Sequence, residues 1–154
     1  MLLAIHGHLR HEMQQVVDAV QRSISDSRQT ADARGLINDL TMRVNYRALG
    51  SFCGGYCQIV SMHHRFEDQV LFVELGDADS DLQPVLNRLS VEHGAIHDAL
   101  VTLDAALVAM LTHEADALPR VATAAARLQE GLLDHLDYEE EELLPALGRL
   151  QILI

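Results

Sequence analysis

The sequence predicts an all-α protein, an antiparallel up-down four-helix bundle formed by a single domain over residues 1–154. Apolar residues recur at helical spacing through most of the chain, and no stretch alternates convincingly as a strand does. Apolar residues make up 49% of the composition but aromatic residues only 4%, so we expect a core of aliphatic side chains from long helices. The connections between the periodic segments are of modest length, which favours helices that run up and down.

In the first half of the chain, the apolar pattern runs from Leu2 to about Ser25 and predicts the first long helix. The polar run at residues 25–30 is expected to be a loop. The segment from Asp32 to about Met42 could form a short extra helix. A second long helix is expected from about Asn45 to Glu74, ended by a turn at residues 75–80.

In the second half, Ser80 and Gln83 have the spacing of a capping box and indicate the start of the third helix. The two remaining helices are expected to run from Ser80 to about Leu111 and from near Pro119 to about Leu144. Pro145 follows the second of these, where a proline is common near a helix end.

The formal net charge of −12 makes nucleic acid and anionic membranes unexpected partners, because such surfaces repel an acidic protein. The sequence contains no run of eighteen or more apolar residues, so it predicts no membrane span. Cys53 and Cys57 lie one helical turn apart, which is poor geometry for a disulfide, so we expect a cytoplasmic protein. The apolar residues 152–154 could pack on the bundle or on a second chain, and we expect a monomer or a weak homodimer.

Pairs of metal-ligand side chains recur at i and i+4 on three predicted helices. The pairs are His63 with Glu67, His93 with His97, and His135 with Glu139. Residues at this spacing lie about 40° apart around a helix, so both can reach one site. The first helix adds His6, with His8 as the alternative. One such pair is more often a surface ion pair, but three on separate helices predict a metal site.

An internal match supports this interpretation. When His63 is placed over His135, Glu67 falls on Glu139 and the pattern H-x-x-[FY]-E-[DE]-x-x-L is shared. When His6 is placed over His93, Arg10 falls where His97 stands, so the halves differ by one histidine. The predicted ligands are His6, His63, Glu67, His93, His97, His135 and Glu139. Two carboxylates could then bridge two metal ions, with five histidines divided three and two, which leaves one ion with an open position suited to iron chemistry.

Four sequence stretches carry a resemblance to the hemerythrin-like family. They are His6-x2-Leu9-Arg10, HHRFED at 63–68, EHGAIHDAL at 92–100 and HLDYEEEELLPAL at 135–147. The resemblance covers nearly the whole chain and implies a non-haem di-iron centre inside a four-helix bundle. It implies that His93, His97 and His135 hold one iron and that His6 and His63 hold the other. Glu67 and Glu139 would bridge them, together with an oxo or hydroxo group.

Some assignments stay open at this point. The family takes its last carboxylate five residues after the histidine, a position held here by Glu140, although Glu139 mirrors Glu67. Tyr56 lies seven residues before His63 and is either a core tyrosine or a phenol near the open iron. His64 is expected to face solvent or to lie just outside the metal ligands, where it could pair with Asp68. A ferritin-like centre is disfavoured, because no Glu has a His three residues later.

The first functional expectation is an enzyme that binds hydrogen peroxide at the open iron and dismutes it to water and O2. That reaction needs one substrate and no electron-transfer partner. The alternatives are a protein that binds or senses O2 or NO reversibly, and an iron-storage protein.

Overall fold

The computed structural model describes residues 2–30, 55–111 and 116–151, and within them the regular structure is helical, with no strand. The long helices are α1 (Leu2–Thr30), α2 (55–78), α3 (Gln83–Leu111) and α4 (Ala117–Leu150). Helix α2 is α-helical over residues 55–66, makes a π-helical turn at Glu67–Leu71, and is α-helical again at Phe72–Ala78. The predicted all-α class is confirmed.

Contacts between α1 and α4 show that these helices are antiparallel. Arg10 donates to Glu140, and Gln129 donates to Gln14, so residue numbers rise along α1 as they fall along α4. The chain turns from α2 to α3 within a few residues. Asp79 is extended there and its carboxylate accepts from the backbone N–H of Asp81, which caps the short 3₁₀ helix Ser80–Leu82.

Two clusters of buried apolar side chains fill the bundle on either side of a layer of buried polar residues. The smaller cluster consists of Leu2, Leu71, Phe72, Leu75, Leu86, Leu89, Leu143 and Leu147. The larger cluster includes Leu9, Met13, Val60, Ile96, Leu100, Leu132 and Leu136. In α1, His6 of the polar layer lies between Leu2 and Leu9 of the two clusters. Burial of this apolar surface stabilises the bundle and keeps water away from the polar layer.

Helix α1 continues to Thr30, so the prediction of a loop at residues 25–30 is wrong. That prediction rested on polarity alone. The run contains no Gly or Pro that would interrupt a helix, and polar residues are compatible with helical backbone. The hydroxyl of Ser25 donates to the carbonyl of Gln21 within the helix.

Helix α4 continues through Pro145 to Leu150, six residues past the predicted end. Proline removes one backbone hydrogen bond from a helix interior and is unfavourable there. Burial of Ala146 and Leu147 beyond the proline offsets this cost. Arg149, in the last turn, also forms an ion pair with Asp79 at the start of the turn before α3.

The possible short helix from Asp32 to about Met42, the beginning of the second long helix and residues 152–154 lie outside the described residues. Among the helices that the structure describes, none combines the length and the apolar character that a membrane crossing requires.

Candidate metal centre

A layer of seven buried histidine and glutamate side chains crosses the bundle, with members on all four helices. They are His6 on α1, His63, His64 and Glu67 on α2, His93 on α3, and His135 and Glu139 on α4. Each is at most 6% exposed. Their potential ligand atoms form two groups within the described residues, and inside each group these atoms lie within 4.8 Å of one another. The first group is His6, His63, Glu67 and Glu139, and the second is His64, His93 and His135.

The two carboxylates of the first group lie between its histidines and those of the second group. Glu67 has Oε1 at 3.1 Å from Nε2 of His63 and Oε2 at 3.5 Å from Nε2 of His93. Glu139 has Oε2 at 3.4 Å from Nε2 of His6 and at 3.6 Å from Nε2 of His135. Each carboxylate is therefore close to one histidine of either group.

Three further carboxylates hold imidazole rings from outside the layer. Nδ1 of His6 lies 2.9 Å from Glu140, Nδ1 of His93 lies 3.0 Å from Asp68, and Nδ1 of His135 lies 3.0 Å from Glu92. A carboxylate at Nδ1 fixes the tautomer of a histidine and leaves the lone pair of Nε2 for a metal. In all three cases Nε2 is the atom that faces the layer.

Burial without hydrogen bonds indicates that the layer is built for cations. Within the described residues, none of the close contacts inside the layer has the geometry of a hydrogen bond, so Nε2 of all five histidines and both carboxylate oxygens of Glu67 and Glu139 are left without a hydrogen-bond partner. Leaving so many buried polar atoms unpaired is costly in a stable core. Imidazole nitrogen and carboxylate oxygen are the ligands expected for a transition metal such as iron, so the residues present fit a metal site.

The protonation states also suit a cation. Burial, and then neighbouring histidines, lower the pKa of His63 to about 3, and burial and His135 lower that of His93 to about 4. Burial likewise lowers the pKa of His6, His64 and His135, so these imidazoles are neutral at pH 7. Burial raises the pKa of Glu67 and Glu139, and the proximity of Glu139 raises that of Glu67 further. A bound cation would favour the ionised carboxylates.

Helix α2 makes a π-helical turn that begins at two successive carboxylate residues with different contacts. The backbone N–H of Phe72 bonds to the carbonyl of Glu67 five residues earlier, which closes the wider turn. Glu67 points into the layer, whereas Asp68 reaches His93 and also accepts from the hydroxyl of Ser90 at 2.7 Å. Single π turns inside α-helices are frequent at functional sites.

The structure brings six of the seven predicted ligands together and leaves out His97. His97 is exposed on the side of α3, because the buried stripe of that helix passes through Leu89, His93, Ile96 and Leu100. The expectation that His97 shares a site with His93 does not agree with this geometry. His8, the alternative to His6, is also exposed.

His64 is buried at 6% exposure, so the expectation that it faces solvent is wrong, and the carboxylate of Asp68 bonds to His93 and Ser90. That expectation considered only its angle to His63. The buried residues Tyr56, Val60 and Glu67 define a stripe whose middle falls between His63 and His64 in helical projection. This signal in the sequence could have found His64.

Two other assignments become clear from geometry. Glu139 is fully buried in the layer, whereas Glu140 is partly exposed and bonds both to His6 and, at 2.6 Å, to Arg10. Arg10, which falls opposite His97 in the internal match, thus forms ion pairs with Glu140 and Asp137. The hydroxyl of Tyr56 donates to the carbonyl of Leu9 at 3.2 Å, and Tyr56 belongs to neither ligand group.

A pocket of ≈ 280 Å³ reaches the layer from the surface between α1 and α2. Its lining consists of Leu2, Ile5, Met62, Phe66 and Leu71, together with His63 and Glu67 of the first ligand group. A small neutral molecule could therefore approach His63 and Glu67 through apolar surroundings.

Comparison with protein families gives one match. A family model described as the hemerythrin HHE cation-binding domain matches residues 1–147. The chain belongs to this family. The matched range contains every residue of the hemerythrin-like polar layer, and cation binding is the property that the family description states. No curated protein and no solved structure matches the chain.

Proposed function

We propose that the chain holds two iron ions in its polar layer and that the open position of this di-iron centre handles a small oxygen or nitrogen species. The observation that carries this proposal is the placement of Glu67 and Glu139 between the two groups of histidines. Carboxylates that lie between two sets of nitrogen ligands are the arrangement of di-iron carboxylate proteins. Iron with nitrogen and carboxylate ligands and an open position supplies redox chemistry towards small oxygen species.

The residues of this chain would hold the ions and control access to them. Asp68, Glu92 and Glu140 would fix three of the imidazoles with Nε2 inward. The aliphatic clusters on either side would exclude bulk water. The pocket beside His63 and Glu67 favours a small neutral molecule over an ion, because an ion would lose its hydration there.

The reaction that we propose is decomposition of hydrogen peroxide. Two peroxide molecules give two of water and one of O2, so one peroxide is oxidised while the other is reduced. Protons and electrons balance within the substrate, and no outside electron donor is required. Hydrogen peroxide is also neutral and small, as the pocket requires.

Metal content and O2 evolution test this proposal together. Protein produced with ample iron should contain about two irons per chain, as expected for a carboxylate-bridged site. On addition of peroxide it should release about one O2 for every two peroxides consumed, and the Glu139→Gln variant should not. Protein with two irons that evolves no O2 would remove the enzymatic part and leave the metal site. Protein with one iron or none would remove both.

Reversible binding of O2 or NO is the second candidate, and the apolar lining of the pocket favours it. This candidate expects the reduced, iron-loaded protein to form a stable complex that returns to the reduced spectrum under vacuum. Oxidation without recovery would exclude it.

A further inference from the structure

His64 is a buried histidine whose counterpart in the internal match of the two halves is not a candidate metal ligand. When His63 is placed over His135, His64 falls on Leu136, a fully buried core residue. A leucine would fill such a position without any polar atom. The chain instead buries an imidazole there, and its Nε2 has no hydrogen-bond partner within the described residues. An unpaired buried nitrogen destabilises a fold unless something binds it.

The side chain of His64 lies against the rings of His93 and His135. The ring of His64 stacks on that of His93, with centroids 4.0 Å apart and planes 7° from parallel. It meets the ring of His135 edge to face at 5.3 Å. One nitrogen from each of the three rings lies within 4.8 Å of the others. Stacking alone would need only an aromatic ring, as Phe72 provides at 5.5 Å from His93.

We propose that His64, and not His97, supplies the third nitrogen ligand to the cation position of His93 and His135. This inference rests on the proposed two-cation centre. His64 and His97 compete for the same role, and His64 is buried in the layer whereas His97 is exposed.

This assignment also decides which position is open. The second position would have three nitrogens, from His64, His93 and His135. The first would have two, from His6 and His63, and both positions could share the carboxylates of Glu67 and Glu139. The first cation would therefore be the one with an open coordination site. The pocket that reaches the layer is lined by His63 and Glu67, members of the first group, which agrees with this assignment.

Substitution by phenylalanine separates ligation from packing. His64→Phe keeps a flat ring that can stack on His93 but removes the nitrogen. His97→Phe is the matched control at the exposed position. The measurements are iron per chain by elemental analysis, the visible and Mössbauer spectra, and helical content by circular dichroism after removal of metal. We also propose His64→Gly with added imidazole, which can occupy the space of the lost side chain.

We expect His64→Phe to keep its helical content and to fall from about two irons per chain to about one. His97→Phe should keep both irons and the wild-type spectra. Imidazole should restore the second iron to His64→Gly, and this measurement also decides the matter if His64→Phe does not fold.

Two irons and unchanged spectra in His64→Phe, or in His64→Gly without imidazole, would overturn the inference, as would loss of iron in His97→Phe alone. Wild-type protein that lacks two irons would instead contradict the proposed di-iron function, so the two failures are distinguishable.

Discussion

Nδ1 of His93 on α3 lies 3.0 Å from Oδ1 of Asp68, the residue that follows Glu67 on α2. The hydroxyl of Ser90 donates to the same carboxylate oxygen, so Asp68 is held from two sides. This contact fixes the ring of His93 with Nε2 towards the layer. It couples the two helices at the level of the proposed second cation.

Replacing Asp68 with Asn should weaken metal binding without unfolding the bundle. The amide oxygen can still accept from His93, but the negative charge that makes the imidazole a better ligand is lost. Loss of such an outer partner typically lowers metal affinity about 10–100-fold. Competition with a chromophoric chelator measures this affinity. Glu74→Gln, on the exposed face of the same helix, is the control and should bind as the wild type does. Equal affinities in both variants would contradict the role of Asp68.

Glu139 and Glu140 should respond differently to the same substitution. Glu139→Gln should lose most bound metal, because an amide is a poor bridge between two cations. Its metal-free form should be no less stable than the wild type, since the uncharged amide removes the repulsion between the buried carboxyl groups of Glu67 and Glu139. Glu140→Gln should retain metal at lower affinity through its weakened bond to His6. Metal analysis and thermal unfolding measure both effects, with the exposed Glu141→Gln as control. Metal loss in Glu140→Gln but not in Glu139→Gln would reverse the assignment.

The metal-free protein should be most stable near pH 6.5. The five buried histidines have pKa values below their ordinary 6.5, so below that pH the unfolded chain takes up protons that the folded protein does not. The free energy of unfolding therefore falls as the pH drops. Glu67 and Glu139 have pKa values above their ordinary 4.5, so above that pH only the unfolded chain releases these protons. The free energy of unfolding therefore also falls as the pH rises.

Between pH 4.5 and 6.5 the five histidines outweigh the two carboxyl groups, and the carboxyl groups dominate once the unfolded histidines lose their protons above about pH 7.5. Thermal unfolding of the metal-free protein at about pH 5, 6.5 and 8 tests this balance. The Tm should fall on both sides of 6.5, and Glu139→Gln should reduce the fall on the alkaline side. A Tm that rises steadily to pH 8 would show that the layer does not contain these protonated carboxyl groups.

Filling the pocket should slow access of a small ligand and leave the metal in place. Ile5→Phe adds bulk at the lining beside the first ligand group but removes no ligand. We expect NO to bind to the reduced, iron-loaded variant at least several-fold more slowly in stopped-flow absorbance, with unchanged iron content. Val91→Phe, at a 74% exposed position on α3, is the size-matched control. An unchanged rate in Ile5→Phe would mean that the ligand reaches the centre by another route.

The sequence by itself determined the helical class, the approximate places of the four helices and most of the polar layer. Apolar periodicity fixes which faces of the helices are buried, and the i, i+4 pairs His63–Glu67 and His135–Glu139 lie on those faces. Both members of such a pair turn inward or outward together, because they are only about 40° apart. The internal match then selects His6 and Glu139 without any knowledge of contacts.

Only the tertiary structure decided between residues at the edges of the buried stripes. His64 directly follows His63 and His97 lies one turn after His93, so each is at the edge of a buried stripe, and a modest rotation of its helix would change whether it is buried. That rotation is set by packing of distant side chains such as Val60 and Leu100 against the other helices. The π turn at Glu67 and the continuation of α4 through Pro145 have the same origin, because tertiary burial outweighs a local preference that the sequence alone makes visible.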